Sequence, residues 1–283
     1  MQLQGGVGNQ LFIWTMAHEL SKTYRCHVQL VFLKDRLQRA DRLCEVDKLQ
    51  NYCAHDISIV ESRIWSYILR AIDKINTITF LNKINVSGIF GVVTLEKTYE
   101  SPSLKKKPPR FLRGYFQSYS LVEKNSFLIY SEIKSFFDHL PTTGSTSTSY
   151  NVSHIRRGDT VLQAVPVGLL STAYYKKHTK YDKPLFICTD DDEIVTTLKL
   201  EFPNSIVIPP EESNTWEILK LMSHANHLIM ANSTLSWWAG WYLSKSPGRT
   251  IIFPSPWRPY DPLITENLMI ENVQVATSIF EEQ

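Results

Sequence analysis

From Asn151 onward the chain alternates short apolar strands with helical stretches so regularly that few folds remain open to it. Asn151 to Ile155 reads as a strand, and Thr172 to His178 starts a helix. Leu185 to Cys188 is a strand, followed by a helix from Glu193 to Glu201. Ile206 to Ile208 and the helix Thr215 to Ala225 repeat the unit. His227 to Ala231 is the next strand and Ser236 to Leu243 its helix, with Thr250 to Phe253 as the last strand. Parallel neighbours need a crossover connection, so this order predicts a parallel sheet with helices on both faces.

The start of the chain reads the same way. Gln2 to Gln4 ends a short strand, Gly5-Gly6-Val7-Gly8 is a glycine turn, and Asn9 is placed to cap the helix that follows. Leu11, Trp14, Ala17, Leu20 and Tyr24 recur at helical spacing, and Val28 to Leu33 is the next strand. Between Leu37 and Ser135 the pattern is mixed, with a helical stretch from Glu61 to Ile75 and a strand from Phe111 to Phe116. Pro141 to Ser149 is small, polar and turn-rich, which marks a linker. The expected organisation is therefore an N-terminal domain over residues 1–140, a linker over 141–149 and a C-terminal domain over 150–283. Both domains are Rossmann-like and face a central cleft, the usual place for a ligand.

Composition excludes several classes. The 283 residues are 43% hydrophobic and 20% charged, with a net charge of +2, too balanced for a nucleic-acid binder. Lys105-Lys106-Lys107, with Arg110 and Arg113, is either a solvated loop or a contact for anionic lipid headgroups. Cys26, Cys44, Cys53 and Cys188 have neither CxxC spacing nor a zinc-site histidine pattern, and read as reduced, packed thiols. No signal peptide opens the chain and no run of about twenty apolar residues occurs, so a cytoplasmic protein with at most peripheral membrane contact is expected. Sequons at Asn85, Asn151 and Asn232 are discounted, two of them lying in segments expected to be buried.

Ligands of open parallel sheets bind beyond the carboxyl ends of the strands. Four segments fall there: Gly5 to Gln10, His154-Ile155-Arg156-Arg157-Gly158-Asp159, Thr189 to Asp192, and Asn232-Ser233-Thr234-Leu235-Ser236-Trp237-Trp238. Adjacent arginines match phosphate oxygens in pairs and keep their charge, and Gly158 lets the backbone turn sharply. The plainer reading of the pair is a solvated loop. The Asn232 segment brings hydroxyl and amide side chains to a helix start, where free N–H groups favour an anion. Asp190, Asp191 and Asp192 read as helix caps or as metal ligands. Trp237, Trp238 and Trp241 read as core packing or as a sugar platform. The dinucleotide GxGxxG spacing and the Walker lysine are both absent.

Taken together and in this order, the segments resemble the alpha-1,2-fucosyltransferase family, glycosyltransferase family 11. The resemblance covers nearly the whole chain. It rests on GGVGNQLF at the start, GYFQS at Gly114 to Ser118, HIRRGD, the FICTDD strand end, LMS at Leu221 to Ser223 and ANSTLSWWAGW at Ala231 to Trp241. It implies a GT-B-like fold and inverting transfer of fucose from GDP-fucose to the 2-hydroxyl of a terminal galactoside, without a metal or other cofactor. The acceptor it implies is a galactose-terminated oligosaccharide, free or lipid-linked, in bacterial surface-glycan (O-antigen) synthesis.

By that resemblance, Arg156 and Arg157 contact the donor pyrophosphate. His154, Asp190, Glu217, Asn232, Ser233, Thr234 and Ser236 belong to the donor pocket, and Gly5, Gly6, Asn9 and Gln10 line the acceptor side of the cleft. Asp159 is either the base for the acceptor hydroxyl or a structural partner of the arginines. Three positions depart from the family pattern. Val167 stands where a histidine is usual, Glu217-Ile218 where Glu-Asp is usual, and Ile13-Trp14 where Gln-Tyr is favoured. The Ile218 departure keeps open a transferase for another nucleotide sugar. An inactive glycan- or nucleotide-binding protein is the remaining alternative.

Overall fold

The computed structural model describes residues 1–33, 44–52, 56–77, 92–95, 97, 99, 108–141, 149–158, 168–212 and 214–281. The chain divides into two compact units, Met1–Asp138 and His139–Gln283. Residues 142–148 of the expected linker lie outside the described residues, as do Cys53, Asn85, Lys105 to Lys107, Asp159 and Val167.

The first unit opens with β1 (Gln2–Leu3), α1 (Val7–Tyr24), β2 (Val28–Leu33), a 3-10 segment (Val46–Tyr52) and β3 (Ile57–Ser62). These strands form a parallel sheet in the order β1-β2-β3. Helix α2 (Arg63–Thr77) follows, then the parallel pair β4 (Val92–Thr94) and β5 (Phe111–Arg113), α3 (Tyr119–Lys124) and α4 (Ser126–His139). Arg113 Nε donates to Gln2 Oε1 at 2.9 Å and ties β5 to β1.

One expectation changes here. The helix expected from Glu61 starts at Arg63, because Ile57 to Ser62 pair along the whole of β2. Sheet pairing overrides a helical pattern at its edge. Helix α1 does not show the world one face: Gln10, Thr15, His18 and Glu19 are buried along with its apolar residues. Their polar groups are matched, as burial demands. Glu132 Oε2 accepts from Trp14 Nε1 at 2.8 Å and lies 3.2 Å from His18 Nε2. Glu19 accepts from Lys124 at 2.5 Å and from Asn125 at 3.2 Å.

The second unit runs β6 (Asn151–Ile155), α5 (Thr172–His178), β7 (Leu185–Thr189), α6 (Val195–Glu201), β8 (Ser205–Ile208) and a 3-10 turn (Pro210–Glu212). It continues with α7 (Thr215–Ser223), β9 (His227–Ile229), α8 (Thr234–Leu243), β10 (Thr250–Ser255), α9 (Pro262–Leu268) and β11 (Gln274–Thr277). All six strands are parallel, in the order β11-β10-β9-β6-β7-β8. From β6 the chain winds one way through β7 and β8, then returns and winds the other way through β9, β10 and β11. This is the doubly wound order expected from the alternation.

Thr250 to Phe253 is the last strand expected, but after helix α9 a further strand, β11, adds to the sheet beside β10. Asp261 caps α9 by accepting from Ile264 N–H at 3.3 Å, and Pro262 occupies the first helical turn. Trp237, Trp238 and Trp241 are fully buried and meet edge to face. They are core packing, and Trp237 Nε1 donates to Leu268 O at 2.6 Å. Asn151 is buried with its Nδ2 bonded to Lys180 O and Asp182 Oδ1, whereas Asn232 is only half-buried. Cys26, Cys44 and Cys188 are free thiols. Among the described residues no helix is long and apolar enough to cross a membrane.

Candidate active site

The topological switch point of the second unit lies between β6 and β9, where neighbouring strands send their following helices in opposite directions. A crevice opens at the carboxyl ends of such a pair, and ligands of open α/β sheets bind there. The HIRRGD segment leaves β6 at this point and the NSTLSWW segment leaves β9.

The turn after β6 is built around one carboxylate, Asp190, which follows the neighbouring strand β7. Asp190 Oδ1 accepts the backbone N–H of Arg157 at 2.8 Å and of Gly158 at 3.1 Å. Its Oδ2 pairs with Arg156 Nη1 at 2.7 Å. Gly158 is needed here for space, since it is not among the glycines with positive φ. A Cβ on it would stand 2.8 Å from Asp190 Cγ and closer still to Oδ2. The glycine is thus required for close packing and not for a left-handed backbone. The same contacts correct the helix-cap reading of Asp190, whose carboxylate organises the arginine turn.

Arg157 is held from two sides. Its Nε lies 3.4 Å from Asp191 Oδ2, and its Nη1 pairs with Glu281 Oε1. Glu281 sits on a terminal segment that returns to the site: Ser171 N–H donates to Ile279 O and Glu281 N–H to Leu169 O, both at 2.8 Å. A guanidinium carries five donors, so two carboxylates leave Arg157 with N–H groups for a ligand. Arg156 and Arg157 are 34% and 20% exposed, within reach of one.

On the β9 side most named side chains are spent on the fold. Asn232 Nδ2 donates to Gly168 O at 2.7 Å and to Trp257 O at 3.2 Å. Ser233 caps α8 by accepting from Ser236 N–H at 3.3 Å. Helix α8 therefore begins at Thr234, two residues earlier than expected. Ser236 Oγ accepts from Ala231 N–H at 3.0 Å and meets His154 Nδ1 at 2.5 Å. This contact joins β6 to α8 across the switch point. What this side offers an anion is the first turn of α8, where the N–H groups of Thr234 and Leu235 have no acceptor within the helix.

His154 is buried beneath the arginine turn. Burial, helped by the positive charge of Arg156, pushes its pKa down to about 3, so the imidazole is neutral. Its part is to brace Ser236 rather than to supply charge. Glu217 lies in the first turn of α7 and accepts from Asn214 Nδ2 at 2.6 Å, while Asn214 Oδ1 accepts from Trp216 and Glu217 N–H at 3.0 Å each. Ile218 beside it is half-buried. Among the described residues no group of three or more His, Cys, Asp or Glu is gathered as a metal site would require.

The first unit carries its own strand-end turn. Gly5 has φ 78°, a conformation open to glycine, and a Cβ there would lie 2.7 Å from Asn9 Nδ2. Gly6 is the N-cap of α1 with no side-chain bond, so Asn9 is not the cap and lies inside the first turn. Gln10 is fully buried: its Nε2 donates to Gly5 O at 2.8 Å and its Oε1 accepts from Glu45 N–H at 2.8 Å and Val46 N–H at 3.2 Å. It clamps backbone and has no surface to line a cleft. Asn9 is half-buried, and its Oδ1 accepts from Gln117 Nε2 at 2.8 Å. Sequence reasoning missed Gln117, Asp191 and Glu281. The GYFQS motif held the signal for Gln117, whereas Glu281 reaches Arg157 only through the fold.

The chain is similar to several known proteins. Escherichia coli alpha-1,2-colitosyltransferase is 28% identical over 90% of this chain and 91% of its own length. The Escherichia coli O-antigen biosynthesis glycosyltransferase WbnK is 24% identical over 90% of this chain and 93% of its own. Among solved structures, Escherichia coli heptosyltransferase WaaC with ADP aligns over 98% of this chain and 92% of its own, at 10% identity and a TM-score of 0.51, a likeness of fold alone. The architecture is that of the GT-B glycosyltransferases, two α/β units with parallel sheets. Residues 49–263, well over half of the chain and both switch-point motifs, match Glycosyl transferase family 11, and the chain belongs to that family.

Proposed function

We propose that this glycosyltransferase moves fucose from GDP-fucose, with inversion, to the 2-hydroxyl of a terminal galactoside. The observation that carries the reading is the pairing of an anchored arginine turn with an open helix N-terminus across one switch point, braced by His154 and Ser236. The family and the two relatives support transfer of a sugar to a surface glycan. In this reading the protein works at the cytoplasmic face of the membrane on an O-antigen or similar chain, free or lipid-linked.

The acceptor oxygen forms its bond to the anomeric carbon as the bond from that carbon to the phosphate oxygen breaks. GDP leaves with the electron pair, and negative charge grows on its diphosphate. Arg156, Arg157 and the N–H groups of Thr234 and Leu235 are the groups to stabilise that charge, preorganised by Asp190 and Ser233. They supply fixed positive charge and dipoles, so we propose that transfer needs no metal. The acceptor proton goes to a base, for which Asp159, two residues past Arg157, is our candidate.

A second reading has a specific basis. The 28% identical relative is named for colitosyl transfer, and Ile218 offers no polar group where the family pattern has an aspartate. A different nucleotide sugar, colitosyl in particular, is the alternative donor. Release of GDP from GDP-fucose by purified protein, with and without a panel of short β-galactosides, tests both. Release stimulated by one galactoside supports fucosyl transfer. GDP binding without turnover of GDP-fucose, together with turnover of another nucleotide sugar, overturns it in favour of the second reading.

A further inference from the structure

Gln117 is 4% exposed and has a half-satisfied amide. Its Nε2 donates to Asn9 Oδ1 at 2.8 Å, while its Oε1 is buried with no partner among the described residues. A buried carbonyl without a donor costs free energy that an apolar side chain of the same length would not incur. What glutamine supplies at this place, and methionine would not, is the N–H aimed at Asn9.

The surroundings hold that N–H in place. Gln117 follows Phe116, which is buried and takes a left-handed φ of 55°. Gly114 lies so close to the Phe116 ring that a Cβ would stand 2.9 Å from it. On the other side, Gly5 with its own positive φ lies against the Asn9 amide. Two turns, one at the carboxyl end of β1 and one at that of β5, are thus locked together by a single amide-to-amide bond.

Gln117 engages Asn9 Oδ1, so the Nδ2 end of that carboxamide is the one left open. Its Nδ2 keeps both N–H donors for other use, and no described group accepts from them. We propose that Gln117 is a positioning residue that fixes Asn9 as a hydrogen-bond donor to the acceptor sugar. The pair is neutral and brings no cation, and its N–H donors match hydroxyl and ring oxygens. The inference rests on the glycosyl-transfer reading above and adds to it a residue outside the phosphate-binding elements.

Two substitutions test it. Gln117→Glu keeps the shape but sets a carboxylate against Asn9 Oδ1, which turns the Asn9 amide and presents its oxygen to the ligand. Gln117→Met removes both the N–H and the orphaned oxygen. Wild-type turnover of GDP-fucose with a galactoside comes first, and its failure counts against the transfer reading before any variant is made. KM for that galactoside, KM for GDP-fucose and Tm are then measured for each variant. We expect the galactoside KM to rise about three- to tenfold in Gln117→Met and on the order of tenfold or more in Gln117→Glu. The GDP-fucose KM is expected to hold in both, and Tm to be no lower in Gln117→Met. Wild-type galactoside KM in both variants overturns the proposal. So does a GDP-fucose KM that rises in step with the galactoside KM, which would assign Asn9 to the donor.

Discussion

Asp190 fills the space that a side chain on Gly158 would need, and with the same carboxylate it accepts the Gly158 N–H. The acidic residue after β7 and the glycine after β6 therefore act as one part. Gly158→Ala is expected to push Asp190 out of the turn, release Arg156 and lower turnover by two orders of magnitude or more, on the order of losing a transition-state donor. Asp190→Asn keeps the volume and one acceptor oxygen but loses the charge facing Arg156, and should lose less. Comparing turnover of the two variants with that of wild type, with Tm as a control for folding, checks the ranking. Equal and small losses would separate the turn from the chemistry.

Arg156→Ala and Arg157→Ala are each expected to reduce turnover by roughly 3–4 kcal/mol of transition-state stabilisation while far-UV circular dichroism stays that of wild type. Arg157→Ala also takes from Asp191 and Glu281 the cation they share. Its GDP affinity is therefore expected to fall further than that of Arg156→Ala. Calorimetric titration with GDP reads this directly, and unchanged affinity in both variants would remove the phosphate-binding role.

Stability should fall on the acid side. Burial holds the His154 pKa at about 3, below its ordinary 6.5, so the unfolded chain takes up a proton there that the folded chain refuses. Burial lowers the pKa values of His178 and His227 in the same sense. A depressed histidine contributes stability that is fully present above its unfolded value. That stability is lost as pH falls from about 6.5 toward 3, by up to about 1.4 kcal/mol per pH unit for one such group. Urea unfolding at pH 7 and pH 5 should show the drop. His154→Asn, which does not titrate, should show a smaller one.

Charge neutralisation by arginines and helix dipoles predicts that an excess of chelator leaves GDP release unchanged. The measurement is turnover before and after dialysis against EDTA. Loss of turnover restored by one divalent cation would assign the acidic run at Asp190 to metal binding instead.

Much of the second unit was legible in advance, because each of its strands is short, apolar and separated from the next by a helix long enough for a crossover. Segments were misread where a neighbour decided the outcome. Glu61 and Ser62 look helical and become strand through pairing with β2. Strand β11 has exposed, weakly apolar residues and exists because β10 offers it an edge. Asp190 looked like a helix cap because its charge lies near α6 in sequence, while its hydrogen bonds run across to the turn after β6.

The sequence alone determined the doubly wound order of the second unit, the family and the two motifs beside the switch point, since periodicity, turn residues and motif spacing are local properties of the chain. Only the tertiary structure decided which groups remain for a ligand. Asn232, Ser233, Ser236 and Gln10 carry side chains suited to binding, yet their hydrogen-bonding groups are engaged by backbone and side chains of the fold. Arg157 is aligned by Glu281, far away along the chain, and Asn9 by Gln117. Each polar group makes few hydrogen bonds, and its partners are set by where other elements pack, which no local pattern records.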